Sequence, residues 1–189
     1  MSHLELLAAV FGFASVWLTI ARHVGAWPIG LVQVVLYIAV FWQAKLYADM
    51  LLHVVYVFLQ AYGWWQWRKY SLTPSTGATQ AIPVRWLTLT QQAWCCGLIA
   101  VMTWIFTWAL QTWTDALSPL ADSWIAAASL VAQVLLALRF VDTWRWWILI
   151  DTVAVIVFWQ RELYPTAVLY GLFWGMAWIG WREWKRAAT

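Results

Sequence analysis

Seven apolar runs, each close to the length of a membrane-spanning helix, dominate this chain of 189 residues. A helix needs about 20 apolar residues to cross a bilayer, so seven spans use about 140 positions and leave only short loops. The composition agrees, because 65% of the residues are hydrophobic and 10% are charged, against about 25% charged in soluble proteins. We therefore predict an all-α integral membrane protein without a sizeable extramembrane domain. The predicted spans are 4–20, 27–42, 50–67, 86–110, 124–138, 146–159 and 164–181.

Positive charge lies mainly on one side of these spans. When the loops are assigned alternately to the two sides, nine Lys and Arg residues fall on one side, and only Lys45 and Arg161 fall on the other. Short cytoplasmic loops carry the excess of Lys and Arg. We therefore expect the N-terminus outside and the C-terminus in the cytoplasm. The small net charge of +3 gives no support for binding of nucleic acid.

A short motif occurs twice, 117 positions apart. Residues 41–47 read FWQAKLY and residues 158–164 read FWQRELY, so five of the seven positions agree. In the same register, residues 63–67 (GWWQW) correspond to residues 180–184 (GWREW), and the first, second and fifth positions agree. Similarity at a fixed offset is the signature of structural repetition.

The predicted repeat contains three spans and leaves one span between its copies. Two three-helix units share an orientation only when an odd number of spans separates them, so we predict a 3+1+3 arrangement with parallel three-helix repeats. Parallel repeats are typical of transporters, in which a substrate near the midplane contacts both halves. The predicted divisions are 1–68 for the first repeat, 69–85 for a cytoplasmic linker, 86–122 for an inverter helix with an outer loop, and 123–189 for the second repeat with a short tail.

Several polar and aromatic residues lie inside the predicted spans. Asp151 is near the middle of the sixth span, where a carboxylate costs about 2.5 to 3.5 kcal/mol on insertion scales. A cationic ligand or a hydrogen bond to a neighbouring helix would satisfy it, and aromatic rings would stack on a flat cationic heterocycle. The alternative for the others is bundle stabilisation by the polar groups and interfacial anchoring by the tryptophans. The candidate substrate-binding residues are Gln33, His53, Tyr56, Gln60, Gln133, Trp144, Trp147, Asp151, Tyr170 and Trp174.

Motifs for catalysis are missing from the sequence. It contains no P-loop, HExxH or GxSxG, and the adjacent Cys95 and Cys96 have no nearby His or Cys partners for a metal. We therefore predict a protein that is not an enzyme, with no catalytic residue, metal site or cofactor.

The segments 46–52, 62–67, 142–148 and 163–164 resemble motifs of the Pnu family of bacterial vitamin transporters, and the resemblance extends over nearly the whole chain. It implies a fold like that of the sugar-transporting SWEET proteins, a homotrimer in the inner membrane, and facilitated diffusion of a vitamin that a cytoplasmic kinase traps by phosphorylation. The implied substrate is nicotinamide riboside, with thiamine as an alternative. A membrane sensor or assembly subunit that binds a ligand without moving it is the alternative of another class.

The resemblance also indicates departures that bear on the substrate. Riboside-transporting members carry asparagine, glutamine, asparagine and asparagine where this chain has Gln33, His53, Gln60 and Asp151. An ionised Asp151 only accepts hydrogen bonds and adds a charge, whereas an asparagine both donates and accepts.

Overall fold

The structure, a computed structural model, describes residues 3–43, 47–71, 82–114 and 117–188. These ranges contain seven helices and no strand, which confirms the predicted all-α class. The third and seventh helices continue past the predicted spans, into the polar segments that follow. The linker residues 72–81 and residues 44–46 of the first motif copy lie outside the described ranges. The helices are α1 (His3–Ile20), α2 (Ala26–Gln43), α3 (Tyr47–Ser71), α4 (Leu89–Trp113), α5 (Pro119–Ala137), α6 (Thr143–Gln160) and α7 (Tyr164–Ala187).

The surfaces of the helices are those of a protein whose solvent is lipid. By length and composition alone, α2, α4 and α5 are apolar enough to cross a membrane, and α1 contributes a shorter apolar stretch, Leu6–Ile20. The other three helices are rich in tryptophan and tyrosine, which hydropathy scales count as partly polar although these side chains favour the membrane interface. Large apolar side chains are widely exposed, such as Phe58 at 70% and Trp104 at 72%.

The chain divides into two compact units. Unit 1 comprises Met1–Val84 with Ala137–Arg139, and unit 2 comprises Arg85–Leu136 with Phe140–Ala188. In unit 1, α1 packs on α2 and α2 on α3; in unit 2, α6 packs on α7.

Both units contain the same pair of tryptophans, 117 positions apart. The rings of Trp27 and Trp67 meet edge to face, with centroids 5.3 Å apart in unit 1. Those of Trp144 and Trp184 meet in the same way at 5.4 Å in unit 2. All four side chains are buried. The repeat in the sequence is therefore also a repeat in local packing.

A glycine makes each tryptophan pair possible. A Cβ at Gly63 would overlap the ring of Trp27, and a Cβ at Gly180 would lie 2.6 Å from the ring of Trp144. These two glycines again differ by 117 in number. The close approach of helix backbone to indole explains why glycine occupies both positions.

In each unit, a hydroxyl group donates a hydrogen bond between the corresponding two helices. In unit 1, the Ser15 hydroxyl of α1 donates to the Ala26 carbonyl at 2.9 Å. In unit 2, the Thr143 hydroxyl of α6 donates to the Ala132 carbonyl at 2.8 Å. Adding 117 to 15 and 26 gives 132 and 143, so the two bonds join the same pair of positions with the donor on the opposite helix.

Two arginines end the corresponding helices in the left-handed conformation. Arg22 has φ 56° and Arg139 has φ 67°. A guanidinium nitrogen of Arg22 donates to the Ile82 carbonyl at 3.4 Å, and one of Arg139 donates to the Pro83 carbonyl at 3.3 Å. In unit 1, these side chains hold the segment that leads out of the linker.

Candidate functional site

Asp151 is the buried acid that the site is built around. It lies on α6 between fully buried Ile150 and exposed Thr152, and it is itself only 3% exposed. Its side chain makes neither a hydrogen bond nor an ion pair with any described residue. A buried carboxyl group without a partner is costly, and such a group inside a membrane protein typically faces a ligand or a water-filled cavity.

Three glutamines share this property of unused hydrogen-bonding capacity. Gln133 of α5 is 7% exposed, Gln60 of α3 is 9% exposed, and Gln33 of α2 is half-buried. None of their side chains hydrogen-bonds to a residue in the described part of the chain. Each amide can make as many as four hydrogen bonds, and buried polar groups are normally satisfied. These amides are therefore suited to a polar ligand.

Glycines on neighbouring helices leave room for two of these amides. The Gln33 amide nitrogen lies 2.8 Å from where a Cβ of Gly12 would be, and that of Gln60 lies 2.6 Å from where a Cβ of Gly30 would be. Both contacts are within unit 1, so the α1–α2 and α2–α3 packing fixes the position of the amide groups.

An aromatic cluster surrounds His53 in unit 1. Its ring centroid lies 4.8 Å from that of Phe41, 5.5 Å from that of Tyr37 and 5.7 Å from that of Tyr56. All four side chains are half-buried. Tyr37 and Phe41 were absent from the candidate residues, although their spacing of four already places them on one face of α2.

The corresponding position in unit 2 holds Tyr170. Its ring stacks on that of Phe158, with centroids 5.2 Å apart and planes 16° apart. Subtracting 117 from the residue numbers 158 and 170 gives 41 and 53. The aromatic contact between Phe41 and His53 therefore recurs between the corresponding helices of unit 2. His53 and Tyr170 are thus equivalent candidates from the two repeats.

Trp174 of α7 reaches α6 next to the buried acid. Its indole nitrogen donates to the Thr152 hydroxyl at 3.1 Å, and its side chain is 41% exposed. Trp147, one turn before Asp151 on α6, is half-buried. Trp147 thus precedes Asp151 by one turn, and Trp174 contacts α6 at the residue that follows Asp151.

Trp144, in contrast, is occupied by packing. It is 3% exposed and packs against Gly180 and the ring of Trp184, which lie one turn apart on α7. Since Trp27 has the same surroundings in unit 1, the repeat explains both rings by helix packing.

A second buried acid, Asp142, was not among the candidates and differs sharply from Asp151. Its carboxylate accepts hydrogen bonds from the backbone of Leu87 at 2.8 Å and from the side chain of Gln92 at 3.5 Å, and it pairs with Arg145 at 3.4 Å. These contacts tie the start of α4 to the start of α6. A fully partnered carboxylate at a helix junction is structural.

One ion pair joins α5 to the end of α6. A single terminal nitrogen of Arg161 donates to both carboxylate oxygens of Asp122, at 2.9 and 2.8 Å.

Within the described ranges, no three His, Cys, Asp or Glu side chains are grouped as a metal site requires.

The sequence profile described as nicotinamide mononucleotide transporter matches residues 2–186. The chain belongs to this family. The resemblance of the sequence to Pnu proteins is thereby confirmed, and this member of the nicotinamide mononucleotide transporter family is a multi-pass protein of the inner membrane and a transporter, not an enzyme.

Named relatives of this family member are similar along most of their length. The nicotinamide riboside transporter PnuC of Escherichia coli (strain K12) is 26% identical over 213 residues, which cover 100% of this chain and 87% of the relative. The protein of the same name from Neisseria mucosa is 32% identical over 155 residues, covering 82% of this chain and 59% of the relative.

A solved structure shares the fold. The crystal structure of the vitamin B3 transporter PnuC superimposes with a TM-score of 0.81 at 27% identity, covering 97% of this chain and 81% of the other. This chain therefore has the fold of that transporter structure.

Proposed function

We propose that this chain carries nicotinamide riboside across the inner membrane by facilitated diffusion, and that a cytoplasmic kinase traps the vitamin by phosphorylating it. The names of the relatives support this substrate. The observation that carries the proposal is the buried Asp151 carboxyl group, which has no partner among the described side chains. The nicotinamide ring of the riboside is a pyridinium cation, and it would supply the missing charge partner.

The roles of the remaining candidates follow from their chemistry. Trp147 lies one turn before Asp151 on α6, and Trp174 hydrogen-bonds to the neighbouring Thr152. Both rings would stack on the pyridinium ring, an interaction that contributes about 0.5 to 2 kcal/mol. The amides of Gln33, Gln60 and Gln133 would bond the carboxamide and the ribose hydroxyls. The rings of His53, Tyr56 and Tyr170 would complete the binding surface. Trp144 would support it through packing.

Facilitated diffusion is supported by the surroundings of Asp151. No described side chain of opposite or like charge pairs with it, so the described residues offer no relay for a coupled proton. Uptake of the riboside into proteoliposomes is expected to stop at the ratio set by the membrane potential. Accumulation that a collapsed proton or sodium gradient abolishes at constant potential would contradict uniport.

The proposal also includes the orientation of the chain in the membrane and its oligomeric state. The excess of Lys and Arg in alternate loops supports an outside N-terminus and a cytoplasmic C-terminus. The family resemblance supports a homotrimer. Labelling of cysteines placed in the loops of intact cells, and the mass of the purified particle, test the two statements separately.

The decisive experiment compares a charged ligand with a neutral one of nearly the same shape. Asp151→Asn should weaken binding of nicotinamide riboside by about 1 to 3 kcal/mol, because it removes one charge partner from a desolvated site. The same variant should weaken the binding of dihydronicotinamide riboside only slightly, because the ring of this ligand is uncharged. Calorimetry on purified protein measures both. Equal losses for the two ligands would assign Asp151 to the fold.

Two further measurements separate the alternatives. Thiamine is also a flat aromatic cation, and tighter binding of thiamine than of the riboside would indicate that thiamine is the substrate. Binding of the riboside without uptake into proteoliposomes would indicate a sensor instead of a transporter.

A further inference from the structure

Three indole rings follow one another along one face of α7. Trp174, Trp178 and Trp181 are spaced by four and three residues, which places them on the same side of the helix. The ring centroids of Trp174 and Trp178 are 6.0 Å apart, and those of Trp178 and Trp181 are 5.3 Å apart. These three rings form the indole stripe of α7. Because Trp174 donates to Thr152, the stripe begins at the residue that follows the buried acid and continues to the last turns of α7.

A cation of the chain itself lies near the far end of the indole stripe. The ammonium group of Lys185 is 5.3 Å from the ring centroid of Trp181, and a cation interacts with an aromatic ring within about 6 Å of its centroid. The distances between successive rings of the stripe do not exceed this range. A cation that moves from one indole towards its neighbour therefore comes within reach of the next ring before it has left the first.

Two indole nitrogens of the stripe have unused hydrogen-bonding capacity. The N–H groups of Trp178 and Trp181 are buried and have no hydrogen-bond partner in the described part of the chain. Most buried N–H groups are paired, as that of Trp174 is with Thr152. Interfacial anchoring does not explain these two groups, because an anchoring indole directs its polar end towards water and headgroups. Both groups are suited to donate to the oxygen atoms of a ligand.

Enclosure by helix packing distinguishes other tryptophans with unpaired nitrogens from those of the stripe. The N–H groups of Trp27 and Trp144 also lack a partner among the described residues, but these rings are only 2% and 3% exposed. Trp178 and Trp181 are half-buried, so part of each ring remains accessible to a ligand.

The repeat indicates that helix packing does not require the whole stripe. Subtracting 117 from 174, 178 and 181 gives 57, 61 and 64, and these positions of α3 hold Val57, Ala61 and Trp64. Unit 1 therefore packs its helices with one ring at the positions where unit 2 has three. The two additional indoles call for an explanation outside the fold.

We propose that the indole stripe of α7 is a transit site for a flat aromatic cation that carries hydrogen-bond acceptors. The cation would leave Asp151, stack on Trp178 and then on Trp181, and pass Lys185 at the end of the helix. Separating a cation from a carboxylate inside a membrane is costly, and ring faces that each contribute about two- to thirty-fold in affinity divide this cost into steps.

The role of the stripe in transport rests on the proposed function. The riboside has the required chemistry, because its ring is a pyridinium cation and its carboxamide and hydroxyl groups accept hydrogen bonds. With the C-terminus in the cytoplasm, as proposed above, the stripe leads from the acid towards the cytoplasmic side.

The first test observes the rings directly in the full-length protein labelled with fluorinated tryptophan. The fluorine resonances of Trp178, Trp181 and Trp104 are assigned from the Trp→Phe variant at each position. The ring-methylated nicotinamide cation, which lacks the ribose, is titrated, and neutral nicotinamide is the matched probe. The resonances of Trp178 and Trp181 should shift saturably with the cation and much less with nicotinamide. Trp104 of α4 is 72% exposed and lies off the stripe, so its resonance should not shift.

The cation of the chain provides a variant with the opposite effect. Lys185→Gln removes the ammonium group near the Trp181 ring, so it should tighten binding of the methylated cation by about two- to five-fold in the same titration. Arg182→Gln removes a charge from the same turn of α7 and should change this affinity less.

The second test measures uptake of nicotinamide riboside into proteoliposomes. Trp178→Ala gives α7 the residue that unit 1 has at the same position, and it should lower the initial rate of uptake by about five-fold. The affinity for the riboside, measured by calorimetry, should change less than about two-fold, because Asp151 and Trp174 are retained. Trp178→Phe keeps a ring face and should keep most of the rate. Trp104→Ala is the control and should alter neither quantity.

Four outcomes would overturn the proposal. Resonances of the stripe that do not move, or that move equally with neutral nicotinamide, would show that the rings do not bind a cation. An equal shift of Trp104 would show unspecific partitioning. An unchanged uptake rate in Trp178→Ala would remove the stripe from the path. A loss of affinity in Trp178→Ala as large as its loss of rate would assign Trp178 to the site at Asp151.

Failure of the proposed function gives a different result. If the parent protein does not take up the riboside although the methylated cation shifts Trp178 and Trp181, the proposed transport is contradicted and the cation site on the stripe is supported.

Discussion

Replacing Gly180 by alanine should destabilise the packing of the tryptophan pair Trp144 and Trp184 in unit 2. The new Cβ would lie 2.6 Å from the Trp144 ring, against 3.4 Å for ordinary contact, so the ring would have to retreat by about 0.8 Å. It cannot easily do so, because it is only 3% exposed and already meets the fully buried ring of Trp184 edge to face, with the centroids 5.4 Å apart. Overpacking of this kind costs about 1 to 3 kcal/mol.

Part of this cost is offset by the helix itself. Alanine is favoured over glycine inside a helix by about 1 kcal/mol, so the net loss should be at most about 2 kcal/mol. For a chain of this size, that lowers the unfolding midpoint by up to about 8 °C. Thermal unfolding of the purified protein, followed by circular dichroism, measures the change.

The same helix supplies the controls. Gly171 and Gly175 of α7 have open space where a Cβ would stand, so Gly171→Ala and Gly175→Ala should leave the midpoint unchanged or slightly raised. Adding Trp144→Phe to Gly180→Ala should recover part of the loss, because the smaller ring leaves room for the methyl group. A midpoint for Gly180→Ala as high as that of the two controls would refute this explanation of the glycine.

Other polar contacts give predictions of the same kind. Asp142→Ala should lower stability by about 1 to 3 kcal/mol, because the buried Leu87 amide loses its acceptor; a fall no larger than that of an exposed Asp variant would contradict this. Arg161→Gln should cost at most about 1 kcal/mol, since its ion pair with Asp122 is partly exposed, and high salt should erase the difference between variant and parent. Thr143→Val should cost about 1 kcal/mol through the lost bond to α5, and Thr143→Ser should restore it.

The helices were largely predictable because the information about them is local. An apolar run of the length of a bilayer specifies a span by itself, and the Trp-rich motifs are distinctive enough to show the offset of 117. The helix ends were less predictable, because α3 and α7 continue through cationic residues that an apolar run does not include.

The candidate site was only partly predictable, because its information is not local. The depth of Asp151 could be counted along α6, but the lack of a partner depends on every neighbouring helix. Asp142 looked like an ordinary residue before a helix, since its acceptor role requires the backbone of Leu87, 55 positions away. Trp144 and Trp147 are three residues apart and chemically identical, and only packing distinguishes the buried ring from the half-buried one.

The reversed hydroxyl bonds at the two helix crossings bear on how the halves diverged. In one half the donor is Ser15, and in the other it is Thr143, while the partner position is alanine in both. If both halves descend from one ancestral unit, a unit with hydroxyls at both positions could have lost either one without losing the bond. Each copy then kept a different donor. The geometry of the crossing was inherited, whereas the residue that maintains it was free to change helices, so an exchange such as Ser15→Ala with Ala26→Thr should reproduce in unit 1 the solution found in unit 2.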